Sequence, residues 1–175
     1  IAGRSLGITG MGRIGREMAR LARGLGMTIH YRNRTRLKPE LEQGAQFHEQ
    51  DETFLAACET LSLHAPGGPE TRHWLNASRI AQLPRGAIVV NTARGTLVDD
   101  AALIAALRSG HIAAAGLDVY DGEPALNPGY LTLENVVLLP HLGSATAHTR
   151  DAMGNAALDG IDAMLAGQTP ANLVA

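Results

Sequence analysis

Arg94, Glu123 and His141 each lie just beyond an apolar run in this 175-residue chain. Their side chains match the needs of one reaction type, hydride addition to a carbonyl that sits beside a carboxylate. Such a step needs a cation for the carboxylate and the carbonyl oxygen, and an acid for the forming alkoxide. A guanidinium supplies the first, and an imidazole suits the second near neutral pH. A carboxylate bonded to that imidazole fixes its tautomer and favours the protonated donor. Taken singly, the three residues also admit plainer readings. Arg94 beside Gly95 fits a surface turn, Glu123 before Pro124 a solvated carboxylate, and His141 after Pro140 a loop cap.

A second constellation lies near the start. The apolar run Leu6-Gly7-Ile8-Thr9 leads into Gly10-Met11-Gly12-Arg13-Ile14-Gly15, a G-x-G-x-x-G turn. After a strand and before a helix, these glycines have separate tasks. The first permits the tight turn, the second lets backbone approach a pyrophosphate, and the third lets helix pack close on strand. The helix N-terminus then offers N–H groups to phosphate. From Ile14, the residues Met18, Leu21, Ala22 and Leu25 follow at helical spacing, which predicts the buried stripe of that helix.

The choice of dinucleotide follows from the next loop. An NAD site places Asp or Glu about 20 residues beyond the glycine turn, on the ribose 2′-hydroxyl. Between Glu17 and Glu40 no acidic residue occurs, and Arg32, Arg34, Arg36 and Lys38 stand there instead. Guanidiniums bind phosphate through paired hydrogen bonds, where a carboxylate would repel it. The expected cofactor is therefore NADP(H), with NAD(H) the second choice. Arg32, Asn33, Arg34 and Thr35 are expected nearest the 2′-phosphate. A solvated basic loop is the plainer alternative.

The elements that must position these residues read as alternating strands and helices. Strands are predicted at Ser5–Thr9, Thr28–Tyr31, Thr60–Leu63, Ala87–Asn91, Ala113–Asp118 and Val136–Leu139, with a short one at Ala45–Phe47. Helices are predicted at Gly12–Arg23, Thr53–Cys58, Ala77–Leu83, Asp100–Ser109 and Thr146–Gly167, with Asp99 or Asp100 capping the fourth and Gly110 ending it. This alternation predicts an α/β fold, a doubly wound parallel sheet of Rossmann type with helices on both faces. Ligands in such sheets gather beyond the carboxyl ends of the strands. Nearly every predicted strand end carries polar or turn chemistry.

Composition narrows the class. Hydrophobic residues make up 45% but aromatics only 3%, so Ala, Leu, Ile and Val must build the core. A net charge of −2 favours neither nucleic acid nor a membrane surface as partner. The single cysteine, Cys58, excludes an internal disulfide and reads as core filler. With no apolar stretch of membrane-spanning length and no visible targeting signal, a cytoplasmic location is expected. No metal site is expected.

Several runs together resemble the D-isomer-specific 2-hydroxyacid dehydrogenases. They are Gly10–Gly15, Ser62–Pro66, Pro69–His73, Val90–Asp99, Gly116–Tyr120 with Gly122–Pro124, and Leu139–Ser144. The resemblance runs in the family's order from Gly3 to Val174. It implies the substrate-binding role for Arg94, the carboxylate role for Glu123 and the acid–base role for His141. It further implies a cofactor lined by Arg13, Ile14, His64, Ala65, Pro66, Thr71, Thr92, Ala93, Arg94, Asp118, His141, Gly143 and Ser144, besides the glycines and basic loop. Within the family, Tyr31–Thr35 is most similar to NADPH-using glyoxylate and hydroxypyruvate reductases.

The resemblance implies a small 2-oxo or 2-hydroxy acid as substrate and a homodimer formed through this domain. Asp100–Ser109 and Thr146–Gly167 are candidate helical faces for that dimer, or simple packing elements. It also implies that residues 1–175 form a dinucleotide-binding domain whose companion substrate domain is absent, so that cofactor binding without turnover is expected of the chain by itself. The rival readings are an NAD(P)-sensing regulatory or corepressor-like module, and a hydrolase or synthase on the same fold. The sensor reading predicts loss of Arg94, Glu123 or His141, and all three are present.

Overall fold

A computed structural model describes residues 1–173, so Val174, where the family resemblance ends, lies outside the described residues. The chain forms two compact units, Ile1–Pro140 and His141–Ala175. The first unit holds β1 (Ser5–Thr9), α1 (Arg13–Gly24), β2 (Thr28–Arg32), α2 (Pro39–Glu42), β3 (Gln46–Phe47), α3 (Asp51–Ala56), β4 (Thr60–Leu63), α4 (Ala77–Ile80), β5 (Ala87–Asn91), α5 (Asp100–Arg108), β6 (Ile112–Leu117) and β7 (Val136–Leu138). All paired strands are parallel, in the order β3-β2-β1-β4-β5-β6-β7. The order reverses between β1 and β4, the switch point of a doubly wound sheet.

Strand pleating puts helices on both faces. Leu6 and Ile8 of β1 are buried in one cluster with Ala19 and Ala22 of α1. Gly7, between them, points the other way. A Cβ built there would overlap the Cys58 Sγ and come within 3.1 Å of the Phe54 ring. Thus α1 covers one face of β1, and the segment from α3 to Cys58 covers the other. The second face belongs to a larger cluster that includes Leu61, Leu63, Val89, Leu103 and Leu117.

The buried stripe of α1 differs from the predicted one. Of the predicted residues Ala22 is buried and Met18 packs against the core, but Ile14, Leu21 and Leu25 are 73%, 50% and 55% exposed, and Gly15 and Ala19 are buried in their place. The cause is close approach. A Cβ on Gly15 would collide with the Gly10 carbonyl oxygen and sit 3.2 Å from Ile8 Cγ2, so only small residues fit this face. Large apolar residues are pushed to the flanks.

Boundaries shift in explicable ways. Helix α3 starts two residues before its predicted start, at Asp51, with Asp51 and Glu52 in the first turn where the helix dipole favours acids. Cys58 consequently lies beyond it. Helix α4 is shorter than predicted, ending ahead of Pro84. The unpredicted α2 carries Pro39 at its start, a position that suits proline. Asp99 caps α5 by accepting from Ala102 N at 3.2 Å, and Gly110 follows with φ +68. Leu103, Ile104, Ala106 and Leu107 of α5 are buried in the core, so one face of this helix packs on the sheet.

The second unit contains α6 (Ala147–Leu165), with Thr146 at its N-cap accepting from Thr149 N at 3.1 Å. None of its residues is buried. After Gly167 turns the chain with φ +72, Asn172 reaches back and donates to the Ala156 carbonyl at 3.2 Å.

Candidate cofactor and substrate site

The glycine turn sits at the switch point. Gly10 has φ +92, and a Cβ there would lie 2.5 Å from the Ala65 nitrogen, so residue 10 must be glycine on two counts. Backbone bonds join it to both neighbours, Gly10 N donating to Arg32 O at 3.1 Å and His64 N to Thr9 O at 2.7 Å. Gly12 is different. Its φ of −75 suits any residue, and a Cβ there would meet nothing within 4 Å. It caps α1 with no side-chain hydrogen bond, leaving the positive helix end open. Protein packing explains Gly10 and Gly15 but not Gly12, whose bare backbone fits a pyrophosphate. Arg13 and Ile14 are exposed at this helix start. A cavity of about 230 Å³ borders the turn, lined by Met11, Arg13, Arg16, Arg20 and Leu41 among others.

The basic loop is wired to this turn. Asn33 Oδ1 accepts from Met11 N at 2.7 Å. Arg32 donates through Nε to Asp51 at 2.8 Å, and its Nη1 to the Asn33 carbonyl. Arg34 is 91% exposed and faces Glu70 at 3.6 Å, while Thr35 is exposed. Arg36 is committed elsewhere, donating to Glu42 at 2.8 and 3.1 Å. The Tyr31 hydroxyl also donates to that carboxylate, at 2.6 Å. Arg36 and Tyr31 hold the Glu42 carboxyl below its ordinary range despite some burial.

Across the switch point stand His64, Ala65 and Pro66. His64 Nε2 is 2.9 Å from Ser62 Oγ, and burial lowers its imidazole pKa. The Thr71 hydroxyl donates to the Pro66 carbonyl at 2.7 Å, so it shapes this loop from within.

Beyond β5 the chain forms the turn Thr92-Ala93-Arg94. Asn91, fully buried, holds it: its Nδ2 donates to Arg94 O at 2.9 Å, and its Oδ1 accepts from Ala93 N at 3.0 Å. Sequence reasoning passed over Asn91, although an amide ending an otherwise apolar strand was the available signal. Thr92 and Arg94 are exposed, and Arg94 Nη1 donates to Ala93 O at 2.6 Å. The Arg94 stem would lie 3.0 Å from a Cβ on Gly67. A Cβ on Gly95 would overlap the backbone of Tyr120 and Asp121, which brings the turn after β5 against the loop after β6. In that loop Asp118 is buried, and its N donates to Asn91 O at 3.0 Å. Glu123 is exposed, and its Oε1 accepts from Tyr120 N at 2.8 Å. Five strand-end segments of the first unit therefore lie along one sheet edge. In the second unit His141, Gly143 and Ser144 are exposed, and His141 has φ +55.

Cys58 is buried, and desolvation pushes its thiol up to about 12, which suits the core-filler role. Among the described residues no cluster of His, Cys, Asp or Glu could hold a metal ion. No helix among them is long and apolar enough to cross a membrane.

Comparison with known proteins gives concordant results. The model of the D-isomer specific 2-hydroxyacid dehydrogenase NAD binding domain matches residues 1–143. Glycerate dehydrogenase of Hyphomicrobium methylovorum is 45% identical over 166 residues, covering 94% of this chain and 52% of the relative. Glyoxylate reductase of Thermococcus litoralis is 44% identical over 176 residues, covering 99% and 53%. The chain thus spans about half the length of the curated relatives it matches. The NADPH-dependent glyoxylate/hydroxypyruvate reductase of Sinorhizobium meliloti superposes with a TM-score of 0.91 at 35% identity, covering 99% of this chain and 53% of that one.

Proposed function

The chain belongs to the D-isomer specific 2-hydroxyacid dehydrogenase family, and on that footing we propose that it carries the cofactor-binding and catalytic part of an NADP(H)-dependent 2-oxo acid reductase. Glyoxylate or hydroxypyruvate is the proposed substrate, since relatives bear those activities in their names. The observation that carries the cofactor choice is the basic loop tied to the glycine turn through Asn33 and Met11. It offers Arg32 and Arg34 where an NAD site would place a carboxylate. Arg32, Asn33, Arg34 and Thr35 would hold the 2′-phosphate. The backbone from Gly10 to Gly15, with Arg13 and Ile14, would hold the pyrophosphate. The segments His64–Pro66, Thr92–Arg94 and Gly143–Ser144, with Thr71 and Asp118, would line the remainder.

A bound nicotinamide supplies the hydride. The protein's own work is orientation and charge. Arg94 offers its guanidinium to the substrate carboxylate and carbonyl oxygen, countering the charge that develops there. His141 donates the proton to the new alkoxide. Glu123 favours the protonated imidazole and fixes its tautomer. The same family membership supports a homodimer, which light scattering of the purified protein tests, and the single cysteine supports a reducing, cytoplasmic compartment.

The decisive experiment is steady-state oxidation of NADPH and of NADH by the full-length protein over a panel of 2-oxo acids. NADPH is expected to be preferred, and His141→Ala to slow turnover by roughly 10²- to 10⁴-fold. A preference for NADH above tenfold overturns the cofactor assignment. An unchanged rate in His141→Ala removes that residue from the chemistry.

A further inference from the structure

Asp51 and Arg79 lie 19 and 28 residues from their partners in the chain, and no sequence motif singles them out. In the fold they make a half-buried ionic cluster with Arg32. Asp51 Oδ1 accepts from Arg32 Nε at 2.8 Å. Its Oδ2 accepts from Arg79 Nε at 3.0 Å and from Arg79 Nη2 at 2.7 Å. Arg79 is fixed in turn, since its Nη1 donates to Trp74 O at 2.9 Å and its guanidinium lies 5.0 Å from the Trp74 ring centroid. The side chains of Arg32, Asp51 and Arg79 are only 26%, 17% and 30% exposed. Burial alone would raise the Asp51 carboxyl, but the hydrogen bonds from Arg79 and Arg32 outweigh it and hold the pKa below the usual value.

The charge count matters. An arginine paired with one carboxylate forms a closed neutral couple with little left for an incoming phosphate. Here two guanidiniums share one carboxylate, so the cluster keeps one positive charge. The forked contact with Arg79 occupies Oδ2, and Arg32 engages only the other oxygen, through Nε.

We propose that Arg79, acting through Asp51, is a positioning residue for dinucleotide choice: it keeps Arg32 anchored by its Nε edge yet positive enough to receive a phosphate on the ribose 2′ position. This rests on the reading that Arg32 borders that position. A plain structural staple joining β2, α3 and α4 would make a different prediction. Its loss would weaken NADPH and NADH binding alike.

The test is equilibrium titration of the full chain with NADPH and NADH, followed by fluorescence, with 2′,5′-ADP and 5′-AMP as probes that lack nicotinamide. Arg79→Gln returns the whole carboxylate charge to Arg32. It should lower the NADPH:NADH affinity ratio about threefold to tenfold, with NADH affinity nearly unchanged. Asp51→Asn keeps an acceptor for Arg32 Nε but deletes the charge, so the ratio should move the opposite way. The ADP and AMP probes should follow the same pattern. If Arg79→Gln does not fold, Asp51→Asn decides, and a ratio that is unchanged or lowered overturns the proposal. Arg32→Gln separates the two layers. Should Arg32→Gln shift the ratio while the other variants leave it within twofold of the parent, the proposed role of Arg79 fails. Should Arg32→Gln itself leave the ratio unchanged, the NADP(H) reading falls and takes this proposal with it.

Discussion

Asn33 accepts the Met11 N–H at 2.7 Å, which makes the loop after β2 and the glycine turn after β1 one mechanical piece. Asn33→Ala would leave that amide without its acceptor, at a cost of about 1 kcal/mol. Urea unfolding should report this loss. Titrations should show both dinucleotides weakened together, because the turn they share is loosened. A larger loss for NADPH than for NADH would add the 2′-phosphate contact proposed for Asn33, whereas unchanged NADH affinity would show that the Met11 bond does not shape the shared turn.

The three glycines of the turn should separate by experiment. Gly15→Ala drives a Cβ into the Gly10 carbonyl and should cost about 1–3 kcal/mol of stability, read as a lower urea midpoint. Gly12→Ala adds a methyl in open space at an ordinary φ, so the midpoint should move by less than about 1 kcal/mol. Dinucleotide affinity of Gly12→Ala should nevertheless drop about tenfold or more, a loss of about 1.4 kcal/mol in binding. Unaltered affinity would show that pyrophosphate does not approach this backbone.

A histidine pair should make stability depend on pH. His30 Nδ1 lies 2.9 Å from His48 Nε2, and His48 Nδ1 lies 3.3 Å from Thr53 Oγ1. Burial lowers the pKa of His30. Burial, followed by the charge of His30, lowers that of His48. The unfolded chain therefore binds protons more readily, and its histidines titrate near pH 6.5. The contribution of the pair is complete above that pH and is lost as pH falls through the lower folded values. The urea midpoint should decline between pH 7.5 and 5.5, above the range where carboxylates protonate. His30→Gln with His48→Gln should flatten that decline, leaving the part due to His64.

Cys58 should report unfolding. Its Sγ is buried and donates to the Phe54 carbonyl at 3.0 Å, and its thiol is pushed up to about 12. Thiol reagents act on the thiolate. Modification by iodoacetamide at neutral pH should be at least about 10²-fold slower in the native protein than in urea, since it must await an opening. Fast native labelling would contradict the packing described.

Much of this architecture was legible in the residues. Strand runs such as Ala87–Asn91 coincide with their elements, because parallel strands buried on both faces are short apolar stretches. Gly10 was equally legible, because a strand-to-helix turn needs its positive φ. The stripe of α1 is right at Met18 and Ala22 but wrong at Ile14, Leu21 and Leu25, because hydropathy weights large side chains while close packing on β1 selects Gly15 and Ala19. Asn91 carries one local signal, an amide ending an apolar strand, whereas Asp51 and Arg79 carry no local signature of their roles. Their partners are fixed by sheet order and helix placement, which a single chain spells out only once folded.

The contact between Gly7 and Cys58 ties two positions 51 residues apart into a single allowance of space. A methyl at position 7 needs the sulfur at 58 replaced by something smaller and also a small shift of the Phe54 ring, which would still lie 3.1 Å away. Replacing the thiol first removes the severe overlap, and the tolerance of an alanine at position 7 then rests on how far the Phe54 ring can yield.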